Sequence, residues 1–316
     1  MNKLLTLSLL ALAAAATQAQ AQETKVSIGL SGWTGFAPLT LAKEAGIFKK
    51  NGLDVTLRKI PQKDRHLAIA SGDVQCAATT VETWIVWNAN GVATTQIFQL
   101  DKSFGADGMV VRGDIAKIGD LKGKTIAASA PGTAPYFTMA WMLKKNGLSP
   151  KDVKVVNLEP QAAANAIIAG TGGLDAAMTY EPYLSAVRAK PEAGKIIATT
   201  LDYPMVMDTF GCTPKFLAEN PKAAKALADS YFEAVEMVRR DPKKSFEIMG
   251  ADVKQSAEQF EASQKYLRWQ DREANQKFFA GEHAAFSREA AELLLEAGVI
   301  KQIPDLAKLA DTRFLK

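Results

Sequence analysis

The sequence contains KKNGLDVTL at residues 49–57 and KKNGLSPKDVKVVNL at residues 144–158. In both copies a glycine follows a helix-like segment, and a strand-like segment with alternating apolar residues comes next. Around each copy the chain runs in the same order: strand, glycine-containing turn, helix, strand, helix, and a short strand that ends in threonine. This alternation predicts mainly parallel sheets flanked by helices, and its repetition predicts two similar α/β lobes.

The composition is that of a globular protein. The chain has 316 residues, of which 47% are apolar and 23% are charged, and this length is enough for two lobes. The net charge is +4, but lysines and arginines are scattered among acidic residues, which does not favour a nucleic-acid surface. The two histidines, His66 and His283, offer little material for a catalytic triad or a metal site, so we expect no metal and no cofactor.

The first 21 residues have the pattern of a signal peptide. MNK is a short basic segment, LLTLSLLALAAAA is an apolar segment too short to span a bilayer, and AQA ends a small-x-small cleavage site. We therefore predict cleavage near Ala21 and export to the periplasm. In an exported protein, Cys76 and Cys212 either form one disulfide or remain two buried thiols.

The remaining chain is expected to pass twice between the lobes. We assign residues 22–110 to the first part of lobe 1, residues 111–205 to lobe 2, and residues 206–316 to a return to lobe 1 with C-terminal helices. The crossings, expected near Val111 and at residues 204–208, would act as the hinge. The amphipathic C-terminal segments predict helices whose simplest packing partner is the first lobe.

Six segments carry a resemblance to a known family: GWTGFAPLTLAKEAGIFKKNGLDVTL, AIASGDVQCAATT, IGDLKGKTIAAS, NGLSPKDVKVVNL, AAANAIIAGTGGLDAAMTYEPY and FLAENPKAAKAL. Together they resemble the periplasmic substrate-binding proteins of ABC importers in the nitrate/sulfonate/taurine group. The resemblance implies a two-lobed type II periplasmic-binding fold with a ligand cleft between the lobes. It also implies a membrane permease and ATPase as partners of a monomeric binding protein that is not an enzyme.

Candidate ligand-binding residues follow from this fold. In open α/β sheets, ligands lie at the carboxyl ends of strands, beside helix N-termini. The residues that this rule selects are Trp33, Thr34, Phe36, Thr80, Glu82, Thr83, Asp101, Asp107, Thr133, Tyr136, Tyr180 and Glu181. Asp208, in the second expected crossing, is a further candidate. Some have ordinary structural interpretations: the aromatic residues as packing, the threonines and Glu82 as helix caps, and Asp107 as a turn residue.

The segment TYEPY, residues 179–183, is the most informative of these sites. Thr179 is expected to end a strand and Pro182 to begin a helix at its first position. Glu181 lies at this junction, where a ligand should bind. A carboxylate there would counteract the preference of a helix N-terminus for anions.

Acidic residues predominate in the cleft-facing segments, where Lys102 is the one basic residue that the sequence offers. Carboxylates repel a sulfonate or nitrate and attract a cation or an N–H donor, so we predict a small cationic, amidine-like or urea-like ligand. LDKSFGADGMVV and TYEPY also resemble a subgroup associated with urea- and guanidine-like solutes.

Three alternatives stay open. An aliphatic sulfonate, taurine or nitrate is the alternative ligand within the same class. An enzyme similar to those of pyrimidine synthesis for thiamine is an alternative of another class, although it would need histidine and cysteine residues poised for iron chemistry. A sensor module without a transport role is the third.

Overall fold

The computed structural model describes residues 23–316. The expected signal peptide, residues 1–21, lies outside the described residues. Between residues 23 and 316, no helix is both long enough and apolar enough to cross a bilayer.

Strands and helices alternate along most of this chain. The strands are β1 (Thr24–Leu30), β2 (Leu53–Lys59), β3 (Cys76–Thr80), β4 (Thr95–Ser103), β5 (Asp107–Val111), β6 (Thr125–Ala127), β7 (Lys154–Val156), β8 (Ala176–Tyr180), β9 (Lys195–Thr199), β10 (Met207–Cys212) and β11 (Leu267–Trp269). The helices are α1 (Ala37–Glu44), α2 (Ile47–Lys50), α3 (Gln62–Ser71), α4 (Val81–Ala89), α5 (Ala134–Lys145), α6 (Pro160–Ala169), α7 (Tyr183–Arg188), α8 (Pro214–Glu219), α9 (Pro221–Arg240), α10 (Pro242–Asp252), α11 (Ala257–Gln264), α12 (Arg272–Lys277) and α13 (His283–Glu296).

The strands form two sheets, one in each lobe. The first has the order β11-β4-β10-β3-β1-β2, with β1 parallel to β2 and β3, and β10 antiparallel to β3 and β4. The second has the order β7-β6-β8-β5-β9, with β6 parallel to β7 and β8, and β5 antiparallel to β8 and β9. The two-lobed α/β fold is confirmed, but the sheets are mixed. Their antiparallel halves are built around β5 and β10, the strands that enter a lobe after each crossing.

The crossings differ in part from the expected boundaries. The first occupies residues 104–106, between β4 of the first sheet and β5 of the second. Residues 107–110, which we expected in the first lobe, therefore belong to the second, because β5 pairs with β8 and β9. The second crossing runs between β9 and β10, through residues 200–206. Strand pairing of this kind joins distant segments, so the local pattern could not locate the first boundary.

The repeated KKNGL segments make the same turn in both lobes. Lys50 ends α2 and Lys145 ends α5, and each helix is followed by asparagine and glycine. Gly52 has a φ of +78° and Gly147 a φ of +74°, a left-handed conformation that glycine adopts without steric cost. After this turn, the chain continues to β2 in the first lobe and to β7 in the second.

The C-terminal helices connect with both lobes. Helices α9 and α10 pack against α1 of the first lobe, as expected. Helix α13, in contrast, contacts α4 of the first lobe and α5 of the second. Its buried side chains, among them Phe286 and Leu294, share a core with Met109 of β5. The expected return to lobe 1 is therefore incomplete, since α13 fills a space that both lobes border.

The cysteines are joined. Cys76 of β3 and Cys212 of β10 face each other in the antiparallel pairing and form a disulfide. Of the two alternatives that the sequence left open, the structure therefore has the cross-strand bond in the middle of the first sheet.

Candidate ligand-binding site

A small cavity lies between the two sheets and has walls from both lobes. Its lining residues are Ser31, Trp33, Phe36, Gln62, Arg65, Thr79, Thr80, Asp107, Ala134, Tyr180, Val206 and Asp208. The centre of a water molecule can move within about 20 Å³ there, which corresponds to room for roughly one water. A solute of several heavy atoms therefore requires the side chains that line the cavity to move apart.

The fold explains why these side chains meet. Trp33 follows β1, Arg65 lies in the first turn of α3 after β2, and Thr80 ends β3, so all three lie at the carboxyl ends of parallel strands. From the second lobe, Tyr180 ends β8 and Ala134 begins α5. Because these edges of the two sheets face each other, the pocket between them is bordered by strand ends and helix N-termini.

Six predicted residues line this cavity: Trp33, Phe36, Thr80, Asp107, Tyr180 and Asp208. The other seven, which do not line it, are Thr34, Glu82, Thr83, Asp101, Thr133, Tyr136 and Glu181. Asp101 and Glu82 lie close behind the wall. Thr133 donates a hydrogen bond to the carbonyl of Ala130, and Tyr136 packs in the core of the second lobe.

Trp33 links the cavity wall to a buried carboxylate. Its Nε1 lies 3.2 and 3.3 Å from the two carboxylate oxygens of Asp101, and its ring meets Tyr180 edge to face at 5.4 Å. The backbone passes so close that a Cβ at Gly35 would lie 2.2 Å from an Asp101 oxygen. Position 35 of the SGWTGF turn therefore requires glycine for Trp33 and Asp101 to contact each other.

Four carboxyl groups crowd around this point. On strand β10, Asp208 is paired with Asp101 of β4 on one side and Thr80 of β3 on the other. Asp107 begins β5 in the opposite lobe, and Glu82, in the first turn of α4, accepts a hydrogen bond from the Thr80 hydroxyl. All four carboxylic residues are at most 3% exposed. The cluster thus combines buried acidic groups from both lobes.

Burial changes the proton affinity of the cluster. It raises the pKa of Asp107 to about 7 and that of Glu82 to about 8. It also holds the pKa of Asp101 and of Asp208 well above their usual range, and the neighbouring carboxylates add to the effect at Asp208. Removing carboxylates from water and placing them beside like charges both disfavour ionisation. Near neutral pH the cluster therefore holds protons.

Arg65 is a cavity residue that the sequence analysis missed. Its Nη1 donates to the carbonyl of Ala78 at 2.5 Å and its Nη2 to that of Ile60 at 2.9 Å, while its buried Nε has no partner among the described residues. Burial lowers its pKa to about 10. The strand-end rule covers this position as well, because α3 follows the parallel strand β2, but the predicted site residues follow other strands.

Gln62 was missed for the same reason. Its side-chain amide donates to the hydroxyls of Thr79 at 2.8 Å and Thr83 at 2.9 Å, and its Oε1 accepts from the backbone N–H of Ala134 at 3.1 Å. Gln62 and both threonines belong to the first lobe and Ala134 to the second. Gln62 therefore forms a hydrogen-bonded bridge across the cavity.

Two expectations about charged residues are corrected. Glu181 is fully buried, but its carboxylate pairs with Arg188 and accepts from the N–H of Ser185, so it does not face the cavity. Helix α7 begins at Tyr183, one residue later than expected, with Pro182 as the preceding cap residue. Lys102, the cation that we expected near the cleft, pairs instead with Glu282. The partner of Glu181 lies seven residues further on, at the end of α7, whereas the partner of Lys102 lies 180 residues further along the chain.

A second, more open groove lies on the surface of the second lobe. It is lined by the ends of β5 and α6 and by the segment before β9, including Arg112, Gly170 and Lys195. None of the predicted residues borders it, and only one lobe does. We therefore take the cavity between the lobes as the candidate site.

Comparison with known proteins identifies the family. Residues 33–245 match the protein-family model described as NMT1/THI5 like. The chain belongs to this family. The predicted resemblance to the nitrate/sulfonate/taurine group is confirmed, whereas the urea- and guanidine-like subgroup is not.

Relatives of this NMT1/THI5-like chain include a taurine-binding periplasmic protein of Escherichia coli, which is 31% identical over 218 residues. The match covers 66% of this chain and 65% of that protein, so the chain spans about two thirds of its relative's length.

Solved structures share the fold. An alkanesulfonate-binding protein from Xanthomonas axonopodis pv. citri, bound to MOPS, aligns with a TM-score of 0.80 at 17% identity and covers 92% of this chain and 99% of that chain. The periplasmic nitrate-binding protein from Synechocystis PCC 6803 aligns with a TM-score of 0.74 at 18% identity, over 93% and 87%. Likeness at this level of identity concerns the fold alone, and it confirms the periplasmic-binding-protein architecture.

Proposed function

We propose that this protein is an exported, periplasmic solute-binding protein that delivers a small cationic, amidine-like or urea-like solute to an ABC importer. The solute is held between the lobes, which close around it and then present it to a permease and ATPase complex. The family, the two-lobed fold and the cavity bordered by both lobes support the transport role. A signal peptide at residues 1–21 would provide the export.

The observation that carries the ligand class is the pair of aspartates in the cavity. Asp107 and Asp208 come from different lobes and both line it, with Asp101 and Glu82 behind them. Against these four carboxyl groups, the cavity wall has one guanidinium, that of Arg65. A cation with several N–H donors would satisfy the carboxylates and lie against the faces of Trp33 and Tyr180.

This arrangement also provides a reason for closure. Bringing the two lobes together moves Asp107 towards Asp208, and two ionised carboxylates repel each other in a buried cavity, which favours their protonated forms. A cation between them replaces the repulsion with attraction to both lobes. The closed form then binds the cation more tightly than the open form does, which is the condition for a ligand to shift the equilibrium.

An aminosulfonate such as taurine is the second candidate. Arg65 favours it, because the guanidinium lies at the cavity and its Nε has no partner among the described residues. Taurine carries an ammonium group besides its sulfonate, so it could meet Asp107 and Asp208 with one end and Arg65 with the other. The taurine-binding relative adds weight to this candidate. A simple anion such as nitrate has neither a hydrogen-bond donor nor a positive charge to interact with Asp107 and Asp208.

An enzyme with iron chemistry is a weaker interpretation. Cys76 and Cys212 are joined in a disulfide and are not free to bind a metal. His66 lies against Trp87 with ring centres 6.4 Å apart, and His283 Nε2 lies 3.2 Å from Gln96 Oε1. Neither histidine lines the cavity. The groups that such chemistry needs are therefore engaged elsewhere.

Isothermal titration calorimetry of the purified mature protein tests the proposal. The probes are guanidine, agmatine, urea, taurine and nitrate at pH 7.5, and we expect the cationic probes to bind more tightly than nitrate. Binding of taurine with weaker or no binding of the cations would favour the second candidate, and tight binding of nitrate alone would contradict both. Native mass spectrometry of solutes that copurify with the protein provides an independent identification.

A further inference from the structure

Arg188 contacts three parts of the molecule at once. It ends α7 in the second lobe, where its Nη1 pairs with the carboxylate of Glu181. Its Nη2 donates to the carbonyl of Gly105, in the first crossing, at 2.9 Å. Its guanidinium carbon lies 3.9 Å from the centre of the Tyr266 ring, which belongs to the segment before β11 of the first lobe. One side chain thus connects the second lobe, the crossing and the first lobe.

The backbone of Glu181 is part of the same connection. Its N–H donates to the carbonyl of Ala106 in the crossing at 2.9 Å, and its carbonyl accepts from the N–H of Thr34 in the first lobe at 3.4 Å. The residue before it, Tyr180, lines the cavity and contacts Trp33. The cavity wall at Tyr180 is therefore adjacent in sequence to the Glu181–Arg188 pair.

The crossing itself is packed against this pair. The N–H of Phe104 donates to the carbonyl of Tyr266 at 2.7 Å. Gly105 has a φ of +98°, and a Cβ there would lie 3.1 Å from the Leu201 side chain in the second crossing. Arg188 and Tyr266 therefore meet where both crossings run side by side, at the place about which the lobes must turn.

We propose that Arg188 is a positioning residue that holds the two lobes in the closed arrangement, by joining Glu181, the Gly105 carbonyl and the Tyr266 ring. The proposal rests on the proposed function, because it assumes that solute is bound by closure of the lobes. An arginine suits this role, since its planar fork of donors can serve a carboxylate, a carbonyl and an aromatic face together. Glu181 then acts through Arg188 and does not touch the solute.

The consequence for binding follows from populations. If only the closed arrangement holds solute tightly, the apparent dissociation constant rises by the factor by which the closed fraction falls. Loss of the Arg188 contacts would lower that fraction, so binding would weaken although no cavity residue had changed. The unliganded protein would also become more extended.

Three variants and one control test this role. R188M removes all three contacts but leaves Glu181 buried without its partner, so R188M/E181Q serves as the decisive variant, in which no unpaired charge remains. Y266L removes the aromatic face and leaves the Glu181 ion pair intact. K190M removes one exposed positive charge close to the same helix end without a cross-lobe contact, and it is the matched control. Small-angle X-ray scattering of the unliganded proteins gives the radius of gyration, and calorimetry with the tightest-binding probe among guanidine, agmatine and taurine gives the affinity.

We expect R188M/E181Q to have a larger radius of gyration than the wild type and about tenfold weaker binding or more. Y266L should change both quantities in the same direction, with about threefold weaker binding, whereas K190M should match the wild type. Radii of gyration of R188M/E181Q and Y266L that equal the wild-type value would overturn the proposal, whether or not any probe binds. Wild-type affinity in R188M/E181Q would also overturn it, because Arg188 would then only neutralise Glu181. If the radii change as expected and no probe binds the wild type, the positioning role stands and the proposed function fails.

Discussion

Replacing Asp107 with asparagine should stabilise the protein and weaken its binding of a cation at the same time. Asp107 is 3% exposed, its Oδ2 has no hydrogen-bond partner among the described residues, and Glu181 is the acidic neighbour that adds to the effect of burial. The asparagine side chain has nearly the same shape as the protonated acid. The exchange therefore removes a buried charge and leaves the packing in place.

The size of the stabilisation follows from the pKa of Asp107, which burial raises from 3.8 to about 7. One pKa unit corresponds to about 1.4 kcal/mol, so an ionised Asp107 lowers the free energy of unfolding by about 4 kcal/mol at pH 8. Because the pKa is higher in the folded protein, the folded protein binds the proton more tightly than the unfolded chain. Stability is therefore lost as the pH rises from about 4 to about 7 and stays level above that.

Urea denaturation followed by tryptophan fluorescence at pH 4.5, 6.0, 7.5 and 8.5 measures this effect. We expect Asp107→Asn to gain about 2–4 kcal/mol at pH 8.5 and little at pH 4.5. Guanidine binding, measured by calorimetry at pH 7.5, should weaken about 10- to 100-fold, as for the loss of a hydrogen bond to a charged group. The control is Asp54→Asn, which removes an exposed carboxylate of β2 and should change neither quantity.

A gain in stability that is the same at every pH would refute the reasoning, because it would not come from the ionisation of Asp107. A variant that is less stable than the wild type at pH 8.5 would do the same. If the stability changes as expected while guanidine affinity is unchanged, Asp107 is a buried charge with no part in binding.

Three further predictions concern other residues of the site and the disulfide. Guanidine binding should release protons from the carboxyl cluster and tighten as the pH rises from 6 to 8, because a cation lowers the raised pKa of Asp107 and Glu82. Calorimetry in buffers of different ionisation enthalpy measures the number of protons released, and the absence of proton release would count against a cationic ligand. Arg65→Met should leave guanidine binding equal or tighter and should weaken taurine binding about tenfold or more, and unchanged taurine binding would show that Arg65 does not hold a sulfonate. Reduction of the Cys76–Cys212 disulfide should lower the free energy of unfolding by about 2–5 kcal/mol in urea denaturation, and an unchanged midpoint would show that the bond does not constrain the unfolded chain.

Much of the architecture was predictable because it is encoded locally. The repeated KKNGL turns place glycine where the backbone needs a left-handed conformation, and both copies behave alike. The strand and helix segments around them follow from hydrophobic periodicity. The paired strands of the mixed sheets were not predictable in this way, since β5 and β10 find their partners far along the chain.

The candidate site was predictable in part. The strand-end rule selected Trp33, Thr80 and Asp107, which line the cavity. The same rule covers Arg65 and Gln62, since α3 follows the carboxyl end of β2. A rule of this kind does not give the direction in which a side chain points. It therefore could not predict that Asp101 lies behind Trp33 and not in the cavity wall.

By itself, the sequence determined that this protein has two α/β lobes with acidic residues at the strand ends between them. Turn glycines and alternating apolar residues act over a few neighbouring positions, so they can be read without the fold. Only the tertiary structure decided which carboxylates border the cavity. Glu181 shows why: its partner Arg188 is seven residues further on, and the contacts of that arginine with Gly105 and Tyr266 exist only because the crossing and the first lobe meet there. A carboxylate that is paired in this way no longer attracts a solute. The position of its arginine partner depends on the crossing and the first lobe, and therefore on the whole fold.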